Sequence, residues 1–336
     1  MTAVQETATG AAETTQMTMV AALNSALDIA MAADPKIVML GEDVADPAGG
    51  VLKVSKGLST KYGADRVRST PISEQAIVGA AIGLALGGYH PLAEIMFMDF
   101  STVCMDQLVN HAAKLRYMSG GHTPVPLVVH TAVGTRRFGA QHAQNLEGWF
   151  MHVPGLKVVI PSGAADAKGL MAACLADPDP CLFIEHIDIA FSPKEAVPIG
   201  PYEVPLGVAN TVRSGTDVTV VTYGRQVATA LAVADALAGD GVSVEVIDLR
   251  TLVPLDLAAV LASVERTRRA VIAHDAHTFA GPGAELAAAI TEHAFGELLA
   301  PVLRVGAGHS PIPFASSIPF HPTQDDLLHA VQQVLG

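Results

Sequence analysis

Basic residues are scarce in this chain. Its 336 residues include 20 Lys and Arg against 33 Asp and Glu, a formal charge of −13. A nucleic-acid-binding protein normally presents a basic face, so no such partner is expected. Cysteine is nearly absent as well: Cys104, Cys174 and Cys181 form neither a C-x-x-C pair nor a disulfide framework. This usage is typical of a reducing compartment, and we expect the protein to be cytoplasmic.

Long hydrophobic runs are also missing. The most apolar stretch, from Ala76 to Gly88, is shorter than the roughly 20 residues that cross a bilayer, and it contains four glycines. It predicts a helix packed inside protein, and no membrane partner is expected. Residues 1–16 are polar and lack the basic and apolar regions of a signal peptide, which predicts a disordered tail.

Half of the residues are apolar, which is enough for large buried cores. From Val20 onward, apolar helical patterns alternate with short β-branched runs, as expected for parallel sheets covered on both faces. The predicted helices include Thr102–Met118, Ala164–Ala176 and Gln226–Ala238. A proline-rich, charge-poor segment interrupts the alternation at 192–216. The predicted fold class is therefore α/β, with two tandem parallel-sheet domains at 17–191 and 217–336 joined by that linker.

Standard cofactor and metal motifs are absent. Gly281-Pro282-Gly283 lacks a third glycine at the spacing of a dinucleotide-binding turn, and there is no Walker A sequence or H-E-x-x-H pair. Gly239-Asp240-Gly241 resembles the start of a metal–diphosphate motif, but no asparagine follows Asn210 to complete it. We interpret this segment as a turn between a helix and a strand.

Polar residues do stand where predicted strands end or helices begin. Glu42 follows the first predicted strand, Glu74 opens the glycine-rich helix, Asp99 follows the next strand, and His142 lies in a later loop. Crevices at the carboxyl ends of parallel strands bind ligands in open α/β sheets. Taken singly, each acid also fits a solvated cap at the end of an element, and the histidine also fits a purely structural role.

Taken together and in order, several segments resemble one family, the beta subunit of the thiamine-diphosphate-dependent first component of 2-oxo acid dehydrogenases of the pyruvate, branched-chain and acetoin types. The similar segments are Gly41–Val44, Thr70–Gly79, Lys114–Gly121, Gly139–Gln144, Val153–Pro161, Asp166–Gly169 and Asp248–Asp256. The resemblance implies a transketolase-like pyrimidine-binding domain followed by a transketolase C-terminal domain.

The resemblance also implies cofactors and partners. Thiamine diphosphate would be shared with an alpha subunit, which holds Mg²⁺ and the diphosphate, in an assembly of two alpha and two beta chains. That assembly would decarboxylate a 2-oxo acid and pass the acyl group to a lipoyl acyltransferase core. The missing metal–diphosphate motif is what a beta subunit should show.

Two catalytic residues follow from the resemblance. Glu74 matches the glutamate that hydrogen-bonds N1′ of the cofactor pyrimidine. A carboxyl group beside an apolar helix is costly to ionise unpaired, so it keeps or shares a proton with the ring. His142 matches the histidine thought to supply a proton when the acyl group passes to the lipoyl arm.

Four further positions match cofactor-pocket residues of the family. Ile72, Met96 and Phe100 would pack against the cofactor, with Phe100 near the pyrimidine, and Glu42 would support the network around Glu74. Plain core filling is the alternative for the three apolar residues. Some relatives also bind a structural K⁺ through backbone oxygens, and the matching positions are Leu127, Cys174, Leu175, Asp177 and Asp179.

The sequence departs from the family in places. Ala143 stands where Ser or Thr commonly follows the histidine, Asp275 stands where Glu is usual, and Arg136 and Arg137 lie in a loop that is often glycine-rich. Either arginine could pair with a substrate carboxylate, with phosphate or with solvent. These departures leave the substrate open, so acetoin cleavage or an unusual 2-oxo acid is one alternative. A non-catalytic scaffold subunit is another, although it would have no need for Glu74 and His142.

Overall fold

A computed structural model describes residues 13–134 and 138–336. The first half alternates strands and helices much as the apolar patterns predict. Between Ile95 and Ala113 the chain also forms a 3₁₀ turn at Met98–Thr102 and a π-helical segment at Gln107–Ala112. The elements are β1 Thr14–Met17, α1 Met19–Ala33, β2 Ile37–Gly41, α2 Leu58–Tyr62, β3 Val67–Ser69, α3 Glu74–Leu86, β4 His90–Ile95, α4 Ala113–Met118, β5 Val128–Val133, α5 Glu147–Met151, β6 Lys157–Val159, α6 Ala164–Ala176, β7 Cys181–His186 and α7 Ile187–Ala190.

The second half repeats the alternation with fewer strands. Its elements are β8 Glu195–Pro198, β9 Asn210–Arg213, β10 Val218–Thr222, α8 Gln226–Ala238, β11 Val244–Asp248, β12 Thr251–Val253, α9 Leu257–Thr267, β13 Ala270–His277, α10 Pro282–Ala294, β14 Leu303–Ala307 and α11 Gln324–Leu335. The turn at Gly239–Gly241 joins α8 to β11, so the interpretation of that segment as a turn is confirmed.

Two sheets carry the fold. The first has seven strands in the order β12-β6-β7-β5-β4-β2-β3, and the second has five in the order β14-β13-β10-β11-β9. Every pairing is parallel except at one edge of each sheet, where β12 runs antiparallel to β6 and β9 antiparallel to β11. The predicted α/β class with tandem sheets is confirmed, and the two antiparallel edge strands are an addition to it.

One apolar core spans both halves. The inner face of the first sheet and helix α3 pack in the same cluster as the inner face of the second sheet and helices α9 and α10. Helices α1 and α6 cover the outer face of the first sheet, and α8 and α11 cover that of the second. The two sheets therefore share an inner helical layer.

Two expectations about the chain's organisation need correction. Residues 14–16, expected within a disordered tail, belong to β1, which pairs antiparallel with β8. The linker expected over 192–216 contains β8 and β9. The sequence does not indicate these three strands, because edge strands are short and lack the long apolar run that marks a buried strand. Within the described ranges, no helix is long and apolar enough to span a membrane.

Candidate active site

The predicted acids meet at the carboxyl edge of the first sheet. Gly41 at the end of β2 pairs with Glu94 on β4, and Glu94 pairs with His130 on β5. Glu42 follows directly after β2, so it lies beside the same strand ends. Parallel strands point their carboxyl ends to one side, which is why residues far apart in sequence gather here.

Glu74 is the first residue of α3, and only 7% of it is exposed. The next apolar residues on its helix face, Ile77 and Val78, are buried in the core. The free N–H groups and the dipole at a helix start favour a carboxylate there. The structure thus places a carboxyl group at the rim of an apolar layer, as the sequence predicts.

Glu42 lies close enough to Glu74 for their charges to interact. Burial raises the pKa of Glu42, and the negative charges of Glu74, Asp43 and Glu94 raise it further. Its Oε1 atom is buried without a hydrogen-bond partner among the described residues. The raised pKa shifts Glu42 towards its protonated form, and the unpartnered oxygen is free to bind a polar group that enters the site.

Behind these acids lies a buried histidine between two glutamates. His130 Nε2 is 3.2 Å from Glu185 Oε2, and its Nδ1 is 3.5 Å from Glu94 Oε2. Burial alone would lower the pKa of His130, but the two carboxylates outweigh it and raise the pKa to about 9. The imidazole is therefore protonated at neutral pH and neutralises part of the acidic cluster.

His142 sits against two phenylalanine rings. Its ring lies edge-on to Phe97, with centroids 5.6 Å apart, and edge-on to Phe100 at 5.2 Å. The sequence placed Phe100 beside a cofactor pyrimidine, and in the structure it contacts His142. Ala143, where relatives commonly carry a hydroxyl, is buried and adds no polar group.

Ile72 and Met96 occupy different environments. Ile72 is 82% exposed, which rules out the alternative that it fills the core. Met96 is partly buried at the end of β4. An isoleucine this exposed, two residues before Glu74, offers apolar surface to whatever binds beside that glutamate. Buried acids, an unpartnered oxygen and exposed apolar surface together suit a heteroaromatic ring with polar nitrogens, as in thiamine.

Sequence reasoning missed several members of this site. Glu185 and His130 received no role, and neither did Phe97. One signal was available for Glu185: a charged residue within the otherwise apolar strand Cys181–His186 needs a partner. Arg136 and Arg137, considered for a substrate carboxylate, lie outside the described residues.

The positions expected for K⁺ converge at the loop between α6 and β7. The backbone carbonyl of Leu127 accepts from Cys181 N at 2.9 Å, and that of Cys174 accepts from Asp177 N at 3.3 Å. Lys157 Nζ lies 2.7 Å from Asp177 Oδ1 and 3.7 Å from Asp179 Oδ2. Arg116 Nη1 also lies 2.9 Å from Asp179 Oδ1, so two protein cations already neutralise the carboxylates of this loop.

A second buried cluster joins the two halves. Asp275 Oδ2 is 3.1 Å from His186 Nε2 of the first half, and it also accepts from Arg225 Nε at 3.1 Å. Burial opposes ionisation of Asp275, but His186 and Arg225 hold its pKa well below the usual range. The departure from the family's glutamate at this position is therefore matched by a dedicated set of cationic partners.

Comparisons with known proteins agree with this architecture. Residues 15–188 match the transketolase pyrimidine-binding domain, and residues 207–320 match the transketolase C-terminal domain. A solved structure titled as a split-gene transketolase in an inactive beta4 tetramer superposes with a TM-score of 0.77 at 23% identity, covering 96% of this chain and 99% of that one. At that identity the likeness concerns the fold alone.

Curated relatives are more similar in sequence. The acetoin:2,6-dichlorophenolindophenol oxidoreductase subunit beta of Cupriavidus necator is 46% identical, over 91% of this chain and 91% of its own length. The pyruvate dehydrogenase E1 component subunit beta of Staphylococcus epidermidis is 43% identical over 90% and 93%. The Bacillus subtilis protein of the same name is 41% identical over 95% and 99%.

Proposed function

The chain belongs to the family of transketolase-like beta subunits of thiamine-diphosphate-dependent 2-oxo acid dehydrogenases, and from this membership we propose that it works with an alpha subunit to decarboxylate a 2-oxo acid and acylate a lipoyl domain. The observation that carries the proposal is the pair Glu74 and Glu42. A buried carboxyl at a helix start stands beside a second acid with an unpartnered oxygen, and this pair suits the aminopyrimidine of the cofactor.

When bound, thiamine diphosphate supplies the nucleophilic carbon that attacks the 2-oxo acid. Glu74 would hydrogen-bond pyrimidine N1′ and exchange a proton with it. Burial and neighbouring acids raise the pKa of Glu42, and in its protonated form Glu42 would donate to Glu74 or to the ring. Exposed Ile72 and partly buried Met96 would cover the ring and exclude water.

His142 would act in the second half-reaction. Opening the dithiolane of a lipoyl group needs a proton at the departing thiolate, and a histidine side chain can supply one. Phe97 and Phe100 pack against the ring of His142 at steep angles and restrict its orientation. In this proposal Glu74 would serve activation of the cofactor and His142 would serve acyl transfer to the lipoyl group.

The alpha subunit would complete the site. Mg²⁺ and the diphosphate need an Asp and Asn motif that this sequence does not contain, since no asparagine follows Asn210. We propose an assembly of two alpha and two beta chains that docks on a lipoyl acyltransferase core. We further propose that the chain has two tandem domains with bounds close to the matched ranges. We also propose a cytoplasmic location, which the three free buried cysteines support.

The decisive experiment compares the chain alone with the chain co-expressed with an alpha subunit of the same family. Decarboxylation of pyruvate and of branched-chain 2-oxo acids is followed with 2,6-dichlorophenolindophenol in the presence of Mg²⁺. The pair should turn over at least one substrate and the chain alone none. Decarboxylation by the chain alone would overturn the proposal, and a correctly assembled pair that is inactive on these acids and on acetoin would favour the scaffold alternative.

Acetoin is a second candidate substrate. Relatives named as acetoin oxidoreductase beta subunits are 46% and 41% identical to this chain. Assaying the same pair with acetoin under the same conditions separates the two activities, because acetoin cleavage releases acetaldehyde whereas 2-oxo acid oxidation releases carbon dioxide.

K⁺ binding at the loop between α6 and β7 stays a separate proposal. Its support is the convergence of the five matching residues at one loop. If K⁺ binds, replacing Na⁺ by K⁺ at constant ionic strength should raise the melting temperature of the assembly. Equal melting temperatures in both salts would argue that Lys157 and Arg116 serve this loop without K⁺.

A further inference from the structure

Asp99 is a buried carboxylate at the edge of the candidate site. Only 6% of it is exposed, and it lies in the 3₁₀ turn that directly follows β4. Within the part of the chain that the structure describes, Asp99 forms no salt bridge. A buried carboxylate without a cation needs hydrogen-bond donors in its place.

Those donors come from Gln144, 45 residues further along the chain. Asp99 Oδ1 accepts from Gln144 Nε2 at 2.7 Å and from Gln144 N at 3.3 Å. The interaction ties both the side chain and the backbone of Gln144 to one oxygen. Bonds to an ionised acceptor are among the stronger hydrogen bonds in proteins, so this contact can fix the segment that carries Gln144.

The same short turn also holds His142 from the other side. Phe97 and Phe100, which flank Asp99 in sequence, are the two rings that lie edge-on to His142. His142 is two residues from Gln144, with buried Ala143 between them. The turn therefore contacts this loop at two points: Asp99 accepts hydrogen bonds from Gln144, and the two phenylalanine rings pack against His142.

From this arrangement we infer that Asp99 is a positioning residue for His142, acting through Gln144. The inference rests on the proposed role of His142 in acyl transfer. Without the carboxylate, the loop would lose its polar anchor, and the imidazole would leave the geometry set by the two rings. A displacement of about 1 Å at a reacting group can cost on the order of 100-fold in rate.

The test uses the assembly with the alpha subunit and measures two half-reactions. Asp99→Ala should lower lipoyl acylation by about 10- to 100-fold while changing dye-linked decarboxylation by less than about threefold. Asp99→Asn keeps an acceptor oxygen and should restore most of the acylation rate. Gln144→Ala, which removes the shorter bond from the other side, should reproduce the loss if Asp99→Ala fails to assemble. Asp65→Ala, at an exposed acid far from the site, is the matched control.

A second readout needs no turnover. The rate at which diethylpyrocarbonate modifies His142, mapped by mass spectrometry in the assembly without cofactor, should rise in Asp99→Ala and not in Asp99→Asn or Asp65→Ala. An unchanged modification rate would overturn the inference.

Comparison with His142→Ala separates this inference from the proposed role of His142 in acyl transfer, on which it rests. If His142→Ala selectively loses acylation and Asp99→Ala does not, Asp99 has no positioning role. If both are selective, the double variant should be no worse than His142→Ala alone, because Asp99 acts only through the histidine. If His142→Ala is not selective, the proposed role of His142 fails, and the modification rate still decides whether Asp99 holds the loop.

Discussion

Acidic side chains at the edge of the first sheet outnumber the one cation described among them. Glu42, Glu74 and Glu94 lie near one another, and protonated His130 faces Glu94 and Glu185. Unpaired carboxylates are costly to bury, and neighbouring negative charges add to that cost. The raised pKa of Glu42 is the expression of that cost. Protonated His130 offsets part of it from behind the site.

Glu74 should therefore matter for chemistry far more than for folding. We predict that Glu74→Ala lowers decarboxylation by the alpha–beta assembly by about 10²–10⁴-fold, as is typical for groups that transfer protons. Its effect on the melting temperature should be small, because a first-turn acid contributes only about 0.3–1 kcal/mol to a helix.

The measurement is the rate of C2 proton exchange of the bound cofactor, with Glu265→Ala, an exposed acid on α9, as the control. Exchange as fast as in the unmodified protein would mean that Glu74 is only a helix-start residue.

His130 should contribute to stability in a pH-dependent manner. Its folded-state pKa of about 9 lies above the unfolded value of about 6.5, so its contribution is complete below about pH 6.5 and is lost as the pH rises through 9. We predict that His130→Phe, which leaves two glutamates buried without their cation, costs about 3–5 kcal/mol at pH 6.

The cost should shrink between pH 6.5 and 9, as measured by melting temperatures across that range. His90→Phe, at a half-exposed histidine 2.9 Å from Asp34, should change little at any pH. A His130→Phe penalty that is the same at both ends of the range would show that the histidine is neutral in the folded protein.

At this scale the sequence revealed the residues that belong to a motif and missed those that depend on a partner. Glu74 and His142 could be predicted because they stand in short segments that resemble a family. Glu185 is separated from His130 by 55 positions, and Asp99 from Gln144 by 45. No local pattern records such a pairing, because only the strand order β7-β5-β4 brings these residues together.

Helices and strands were predictable where burial imposes a period. Helices α6 and α8 begin and end at the residues that the apolar pattern indicates. One helix predicted over Thr102–Met118 is instead a turn, a π-helical segment and α4, because apolar spacing does not distinguish these windings. The sequence does not indicate the short edge strands β1, β8 and β9, because they contain no long apolar run.

The β1–β8 pair should add measurable stability through one side chain. Met17 packs on a small cluster of Ala22, Ala164 and Val197, whereas Thr14 at the other end of β1 is exposed. We predict that Met17→Asp costs about 1–3 kcal/mol, as expected when a charge replaces an apolar contact. Thr14→Asp should stay within about 0.5 kcal/mol. Chemical denaturation of both variants checks this, and equal effects would mean that β1 contributes no packing.

The two halves of the molecule are not independent units. They share one apolar core, and β12 of the second half forms the edge of the first sheet. Polar contacts cross the same boundary: Tyr223 donates to Glu147 at 3.0 Å, and Arg250 binds Asp166 through two bonds. Folding of one half therefore completes the surface of the other.

We predict a single unfolding transition for this chain within its assembly, detected at the same temperature by calorimetry and by circular dichroism. Residues 217–336 expressed alone should lack a cooperative transition, because Leu252, Val260 and Ile290 would lose the partners that bury them. Co-expression with residues 13–216 should restore it. A cooperative transition of the isolated second half would show that the shared core is dispensable.

The position of β12 also constrains how related chains can be recombined. Thr251 pairs with Val159 across an irregular register, and Ile160 N donates to the Arg250 carbonyl at 2.9 Å. A chimera of two related chains joined in the connector near residue 205 would take β6 from one parent sequence and β12 from the other. A crossover placed after Pro254 inherits both strands from the same parent, so hybrid beta subunits joined there should retain the edge of their first sheet.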